Sequence, residues 1–435
     1  MTRSLLDRSN FVNTYGRIFD DKVLKNITFI VTHECNLRCS YCYEINKSDR
    51  EMTLDIGKKC IDLLFETDLN NGIWVNPDEA DGVILDFIGG EPLLKIDLID
   101  QLMDYFLTKA VELNHRWMIR YMISMSTNGV LYQTEPVQQF LRKWKGRVSI
   151  GVTLDGDKET HDMCRIDCEG RGSYDLASAA FNDIIQQYGM TGTKFTIAPG
   201  NVDRVFIAHA DMIERYNTLQ IMSNCVYEEG WTIEHASILY HQLKQLTDWL
   251  IDTGRDLDVK FSLMDNFIGV PLSKNDTQNW CGSTGKMLAF DVDGTAIPCV
   301  RYSSMSLGRN IKSLPVGDTQ HGIGSTDKEL SVINLMNSIT RQSQSTDICL
   351  ECPIAAGCAW CSAYYYERSG TPNKRIIFTC EMHIARILAT SYYYNSIYRQ
   401  HNQEDRFPVN VPKEWALLII SSDEYDMLIE LADQE

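Results

Sequence analysis

The sequence predicts an α/β fold: a partial (β/α)6 TIM-like barrel followed by a small Cys-rich domain. Three observations carry this. Apolar, β-branched runs alternate six times with helical periodicity between residues 27 and 254. Gly, Ser, Asp and Cys residues able to do chemistry stand directly after those runs. From Cys281 onward the texture changes, with dense cysteines and few long periodic segments. Strand–helix alternation implies a parallel sheet with helices outside. Six units are two short of a closed eight-fold barrel, so an open one is expected.

Ile27–Thr32 predicts the first strand. Thr53 predicts an N-cap, with Asp55 in the first turn and apolar residues at helical spacing through Leu69. Further strands are expected at Val83–Ile88, Tyr121–Ser126, Val148–Leu154, Lys194–Ala198 and Leu219–Asn224, and helices at 95–114, 135–145, 174–188, 205–216 and 233–252. Active groups of such barrels sit at the C-terminal strand ends. Cys35, Gly89–Glu91, Ser126–Gly129 and Thr153–Gly156 fall there. The predicted organisation is an N-terminal segment (1–26), the barrel (27–254), a linker with the Cys-rich domain (255–400) and a tail (401–435). Helical spacing returns over 381–400, and the tail ends in an acidic helix-like stretch. Between Cys281 and Cys380, metal rather than a large apolar core is expected to hold the chain together.

Composition narrows the function. The 435 residues are 44% hydrophobic and 23% charged, ordinary for a globular protein of two or three domains. No apolar run approaches the roughly 20 residues of a bilayer span, and the first residues lack a signal-peptide pattern. A cytoplasmic protein without a membrane partner is expected. The net charge of −18, from 41 basic and 59 acidic residues, argues against a nucleic-acid partner; it suits a neutral or basic substrate, and equally an acidic surface spread for solubility.

The 14 cysteines are many for a reducing compartment, where clustered thiols indicate metal or catalysis. Three lie at 35–42, two at 281 and 299, and five at 349–380. Cys60 reads as a core thiol, and Cys164, Cys168 and Cys225 are scattered. The first loop runs His33-Glu-Cys35-Asn-Leu-Arg-Cys39-Ser-Tyr41-Cys42. Thiolates at this spacing suit iron–sulfur clusters or zinc. Three ligands leave one iron of a four-iron cluster open. On spacing alone, a zinc site borrowing a fourth ligand such as His33 stays open too, although His33 reads better as a packed residue.

C-x3-C-x2-C after an N-terminal strand, with Tyr41 before the last Cys, resembles the radical S-adenosylmethionine (SAM) superfamily. Gly89-Gly90-Glu91-Pro92 resembles that family's GGEP segment, and Ser126-Thr127-Asn128-Gly129 its third-strand loop. Thr153-Leu-Asp155-Gly156 with His161-Asp-Met-Cys-Arg165 resembles its S-x-D-G…H-x-x-x-R stretch. The resemblance implies a SAM-binding [4Fe-4S] cluster on Cys35, Cys39 and Cys42, whose reduction cleaves SAM to a 5′-deoxyadenosyl radical. It also implies SAM contacts from Tyr41, Gly89, Gly90, Glu91, Ser126, Asn128, Thr153 and Arg165, with Ile197 packing near adenine.

The later cysteines resemble the SPASM extension of peptide-modifying members, which carries two auxiliary [4Fe-4S] clusters, making three in all. By position, Cys349, Cys352, Cys358 and Cys380 would hold the outer cluster, and Cys281, Cys299 and Cys361 the inner one. Two residues separate Cys358 from Cys361 where three are usual. No Cys follows Cys281 in Gly282–Leu288, so the inner cluster is expected to offer an iron to a substrate thiolate. Ligation by Cys164, Cys168, Cys225 or Met287 is the rival expectation. Sulfatase-maturing members carry a basic Asp after the residue matching Cys299, whereas Val300 and Arg301 stand here. The stretches Asn224–Trp231 and Cys358–Glu367 resemble maturases of precursors with repeated C-x-x-x motifs, of the freyrasin type. That implies thioether crosslinking of Cys sulfur to an acceptor carbon, such as an Asp β-carbon. The partners implied are a precursor peptide with a leader and a Cys-containing core, and an electron donor such as flavodoxin or ferredoxin.

Overall fold

The computed structural model describes residues 25–66, 74, 82–189, 193–218, 220–228, 230–275 and 281–433. Nearly all of the predicted N-terminal segment, Leu69, Leu219 and Glu229 lie outside the described residues. In chain order the main elements are β1 (Lys25–Thr32), α1 (Leu54–Phe65), β2 (Val83–Gly89), α2 (Ile96–Glu112), β3 (Tyr121–Thr127), α3 (Glu135–Lys143), β4 (Val148–Val152), α4 (Lys158–Cys164), α5 (Tyr174–Tyr188), β5 (Thr193–Ile197), α6 (Val205–Tyr216), β6 (Gln220–Cys225), α7 (Ile233–Asp252) and β7 (Lys260–Phe261). There follow β8 (Leu288–Phe290), β9 (Thr295–Ile297), β10 (Gly317–Asp318), β11 (Gly322–Ile323), α8 (Asp327–Ser338), α9 (Arg341–Gln344), α10 (Asp347–Leu350), α11 (Ser362–Ser369), α12 (Cys380–Gln400), α13 (Lys413–Ala416) and α14 (Ser422–Ala432). The chain divides into two compact units, one of residues 1–36, 42–151 and 279–339, the other of 37–41, 152–278 and 340–435.

The first unit is built on a sheet of order β11-β10-β9-β8-β1-β2-β3-β4. β1 lies between two parallel neighbours, β2 and β8. Both its faces are covered from Ile27 onward, which is why it reads as a run of apolar and β-branched residues rather than an alternation of apolar and charged ones. Phe29 is fully buried between Phe87 and Phe290, with ring centroids 5.4 and 5.5 Å away. Thr53 caps α1 as predicted, its Oγ1 accepting from Ile56 N at 3.2 Å. The face of α1 carrying Cys60, Ile61 and Leu64 is buried, and the Cys60 thiol, at 0% exposure, has its pKa driven well up by burial. After β8 the chain turns back at Gly294 into antiparallel β9, β10 and β11. These strands of two or three residues were not foreseen.

The second unit carries a parallel sheet β5-β6-β7 with α5, α6 and α7. Its long helix α12 packs against α7 and α14. The predicted fourth strand ran to Leu154, but the ladder stops at Val152. Thr193 Oγ1 then donates to Leu154 O at 3.2 Å, and Thr196 N to Asp155 Oδ1 at 3.2 Å, so side chains replace ladder bonds there. Among the described residues no helix is long and apolar enough to cross a membrane.

Candidate cluster and cofactor site

In the first unit, β1 ends at Thr32 and the chain enters an irregular loop. His33 is buried, its N donating to Arg50 O at 2.9 Å and its Nε2 standing 2.7 Å from Asp291 Oδ1. Both partners anchor the loop, and His33 packs rather than faces a ligand. Cys35 is 8% exposed. Beyond β2, Gly89 and Gly90 run against this loop: Gly90 N donates to Thr32 O at 3.0 Å and Glu91 N to Glu34 O at 2.9 Å. A Cβ on Gly90 would stand 2.2 Å from Glu34 O and 2.8 Å from Cys35 Cβ. Only glycine lets the second-strand loop approach the cysteine this closely.

Glu91, 1% exposed, binds within the protein. Its Oε1 accepts from Leu93 N (3.1 Å) and Thr127 Oγ1 (2.6 Å), and its Oε2 from Asn128 N (2.8 Å). It ties the second-strand loop to the third. Asn128 in turn reaches Asn36 Oδ1 at 2.7 Å and Cys35 Sγ at 3.9 Å. Ser126, by contrast, is exposed. Cys42 accepts from Lys47 Nζ at 2.9 Å. Burial alone would lower the Lys47 pKa, but Cys42, Glu44 and Cys35 outweigh it and keep the ammonium charged. Burial pushes the Glu44 carboxyl up to about 8.

In the second unit, Tyr41, Asp155 and Arg165 form a buried knot. Tyr41 Oη donates to Asp155 Oδ2 and accepts from Arg165 Nη1 at 2.7 Å, and Arg165 Nη1 is 3.8 Å from Asp155 Oδ2. Burial raises the Asp155 and Tyr41 pKa values. Burial would weaken the Arg165 charge, yet Tyr41, Cys39 and Asp155 hold its pKa above the ordinary value. Arg165 Nε is buried without a hydrogen-bond partner in the protein. Thr153 is half-buried, and Ile197, at the end of β5, is fully buried. Helix α4, unforeseen, carries Cys164 and is capped by Asp157, whose Oδ2 accepts from Glu159 N at 3.2 Å. Asp157 followed by Glu159 was the signal available for it.

The C-terminal cysteines distribute over both units. Cys281 and Cys299 belong to the first. Cys281 Sγ lies 3.0 Å from Ser283 Oγ, and Met287 Sδ packs against Gly282, where a Cβ would stand 2.4 Å from it. Tyr43 has its pKa raised by burial first, with Cys42 and Cys299 both adding to the effect, and Arg301 stands 4.7 Å over its ring. In the second unit lie Cys349 on α10, Cys352 and Cys358 in the following loop, Cys361 at the start of α11 and Cys380 opening α12. Gly357, at φ +77°, gives that loop its left-handed turn. Burial raises the Cys358 and Cys380 thiols, the latter to about 12, and Cys349 and Cys358 add to it. Arg375 sits among them: burial opposes its charge, while Cys358, Tyr365, Cys349 and Cys380 favour it. Its guanidinium lies 4.8 Å over the Trp360 ring, and Trp360 Nε1 is buried without a hydrogen-bond partner. Of the rival inner ligands, Cys164 is buried and accepts from Asn201 Nδ2 at 3.7 Å, Cys168 is exposed, and Cys225 has its thiol pushed up to about 12 by burial.

Among the described residues no three of His, Cys, Asp and Glu close tightly enough to grip a single metal ion. The residues do fit the expected groups in chemistry: soft thiolates beside cations, a glycine cradle against Cys35, and orphaned buried donors at Arg165 and Trp360. Sequence reasoning missed Lys47, Arg375 and Tyr43. A lysine five residues beyond Cys42 was visible, but nothing in its spacing marked it.

Several known proteins resemble this chain. The family model described as a 4Fe-4S single cluster domain matches residues 25–173. The chain is 26% identical over 287 residues to a cysteine-type anaerobic sulfatase-maturating enzyme of Clostridium perfringens, covering 62% of this chain and 72% of that protein. It is 27% identical over 242 residues to the Fe-coproporphyrin III synthase of Methanosarcina barkeri, covering 54% of this chain and 52% of that one. To the subtilosin biosynthesis protein AlbA of Bacillus subtilis it is 28% identical over 141 residues, covering 32% of this chain and 26% of that one. The chain spans about half or less of the first curated relatives it matches, 42% and 52% of their lengths. Among solved structures, anSMEcpe with bound AdoMet superposes with a TM-score of 0.58 at 18% identity, covering 87% of this chain and 98% of that one, which establishes the shared fold. The chain thus shares its fold with anSMEcpe, and its residues 25–173 match a 4Fe-4S single cluster domain.

Proposed function

We propose that this chain is a peptide-modifying radical SAM enzyme that forms thioether crosslinks between Cys sulfur and an acceptor carbon, such as an Asp β-carbon, in a ribosomally made precursor. The observation that carries the radical SAM part is the loop around Cys35, against which Gly89 and Gly90 are pressed with no room for a side chain. Cys35, Cys39 and Cys42 would hold the SAM-binding cluster, which when loaded supplies the 5′-deoxyadenosyl radical that takes a hydrogen from substrate. Glu91 fixes the two strand-end loops beside it. Arg165, anchored through one nitrogen to Tyr41, keeps Nε for an anionic group such as the SAM carboxylate. The outer auxiliary cluster is assigned to Cys349, Cys352, Cys358 and Cys380, and the inner one to Cys281, Cys299 and Cys361. The fourth place of the inner set would fall to the substrate thiol, which ligation there would deprotonate.

Two observations favour this chemistry over formylglycine formation. Val300, following Cys299 in a single helical turn, has no group that can take a proton. Arg301 is turned onto Tyr43. The sulfatase-maturating relative and AlbA, named for the biosynthesis of a bacteriocin, both favour a protein or peptide substrate. A cytoplasmic reductant of the flavodoxin or ferredoxin class would supply the electron.

The test is anaerobic reconstitution. About 12 irons per chain would fit three four-iron clusters, whereas zinc without sulfide would end the enzyme reading. Reduced protein with SAM should release 5′-deoxyadenosine, and Cys35→Ala should abolish release. Mass spectrometry of a co-expressed Cys-repeat precursor should show two hydrogens lost per crosslink and thiols closed to alkylation. An aldehyde product would overturn the thioether assignment while leaving the radical SAM reading intact.

A further inference from the structure

The strongest unassigned feature near the first cysteine loop is Lys47. Its Nζ donates to Cys42 Sγ at 2.9 Å and to Glu44 O at 2.8 Å. The backbone carbonyl fixes the direction of the ammonium, so the contact with sulfur is held from two sides. The side chain is half-buried, which protects its field from the screening that weakens exposed charges. The chain as a whole carries a net charge of −18, so a cation placed on a ligand sulfur runs against the general field.

We propose that Lys47 is a positioning residue that sets the reduction potential of the iron–sulfur group held at Cys42, raising it so that the group accepts an electron more readily. The inference rests on the reading of this loop as a cluster site. Reduction moves one electron from a donor of the flavodoxin or ferredoxin class, which is oxidised by one electron, onto the iron–sulfur group. No bond forms or breaks at Lys47 and no proton moves. The added negative charge is spread over iron and its sulfur ligands. A charged N–H···S hydrogen bond to one of those ligands stabilises the reduced state more than the oxidised one. Charge, hydrogen bonds to sulfur and solvent exposure are the protein's levers on such potentials, and Lys47 applies the first two at one atom.

The test uses the full chain, reconstituted anaerobically, as wild type, Lys47→Met and Lys47→Arg. The midpoint potential is read by EPR-monitored titration of the signal that changes shape on adding SAM, which marks the first cluster. Iron content is measured on the same samples. Lys47→Met should keep its iron and shift the midpoint to more negative values by about 59 mV, a tenfold loss in the reduced-to-oxidised ratio at a fixed donor potential. Lys47→Arg should recover most of that shift. An unchanged midpoint in iron-replete Lys47→Met overturns the proposal. So does equal loss of iron from both variants, which would make Lys47 a structural prop. If no signal of the wild type responds to SAM, the reading of the loop itself falls, and the proposal with it.

Discussion

Replacing Gly90 by alanine tests whether the second-strand loop truly rests on the cysteine loop. An ideal Cβ there would stand 2.2 Å from Glu34 O, 2.5 Å from Glu34 C and 2.8 Å from Cys35 Cβ, where real Cβ atoms stay beyond 3.0 Å. Two of the three obstacles are backbone atoms, so no side chain can swing aside. The loops must part by most of an ångström, loosening the bonds from Gly90 N to Thr32 O and from Glu91 N to Glu34 O. Overpacking costs about 1–3 kcal/mol, and two weakened hydrogen bonds add about 1 kcal/mol each at most. A loss of about 3 kcal/mol follows. Gly151, near the end of β4, is the matched control: a Cβ there meets nothing within 4 Å. Gly151→Ala should be neutral or stabilising by about 0.4–1 kcal/mol through the unfolded state. For a unit of roughly 200 residues each kcal/mol moves the midpoint by about 2–4 °C, so the two variants should differ by about 10 °C. The assay is anaerobic thermal unfolding at one scan rate, with iron content measured in parallel, because Cys35 is displaced along with Glu34. Should Gly90→Ala unfold alongside Gly151→Ala and take up the same iron, the close packing argued for this loop is wrong.

Two other outcomes follow from buried charge. His209 is fully enclosed, bonded to Val205 O at 2.6 Å and Ser223 Oγ at 2.8 Å, and burial lowers its pKa to about 4. The native state thus refuses a proton that the unfolded chain accepts below about pH 6.5, so stability falls as pH drops from about 6.5 towards 4, by up to ~1.4 kcal/mol per unit. His209→Phe should flatten the dependence of unfolding temperature on pH between 7 and 5, and parallel slopes would remove His209 as a cause. Arg375→Leu takes the cation from among Cys349, Cys358 and Cys380. It should lower iron by about four per chain while SAM cleavage persists. Full iron content in that variant would show that the outer thiols do not need the charge.

How far the sequence discloses this molecule depends on the scale at which each feature is encoded. β1 was legible because burial on both faces leaves a run of apolar and β-branched residues, and β2 and β3 because apolar residues still outnumber the polar ones in them. The end of β4 was misread for an instructive reason. Leu154 is completely buried, so it looks like strand, but it is held by packing and by the Thr193 hydroxyl rather than by the ladder. The strands β7 to β11 were illegible because two or three residues carry no period. Cysteine spacing pointed to ligand candidates because short intervals between thiols are what closure of a loop around a metal group requires. It could not disclose Arg375, which reaches the outer thiols from a loop 14 residues beyond Cys361. Glu91 shows the opposite limit: the GGEP segment was plain, yet the carboxylate's bonds to Thr127 and Asn128 come from a different strand end and no local pattern holds them.

The cations bear on what state of the cysteines this chain is built for. In the first unit Lys47 binds Cys42, and Arg301 covers the Tyr43 ring beside Cys42 and Cys299. In the second, Arg165 feels Cys39, Arg375 feels Cys349, Cys358 and Cys380, and Arg386 feels Cys225 and Cys358. Burying a cation is costly unless an anion or several acceptors repay it. Arg386 illustrates the cost: burial lowers its pKa even though Leu263 O, Ser262 O and Gly357 O accept from it at 2.5–3.0 Å. Neutral thiols would not repay such burial, and burial alone pushes the Cys358 and Cys380 thiols toward neutrality. Thiolates ligating iron would, since metal binding removes the thiol proton outright and leaves the charge in place. A chain with 59 acidic and 41 basic residues that nonetheless stations cations at its cysteine groups is what the proposed ligation of iron by these sulfurs would require.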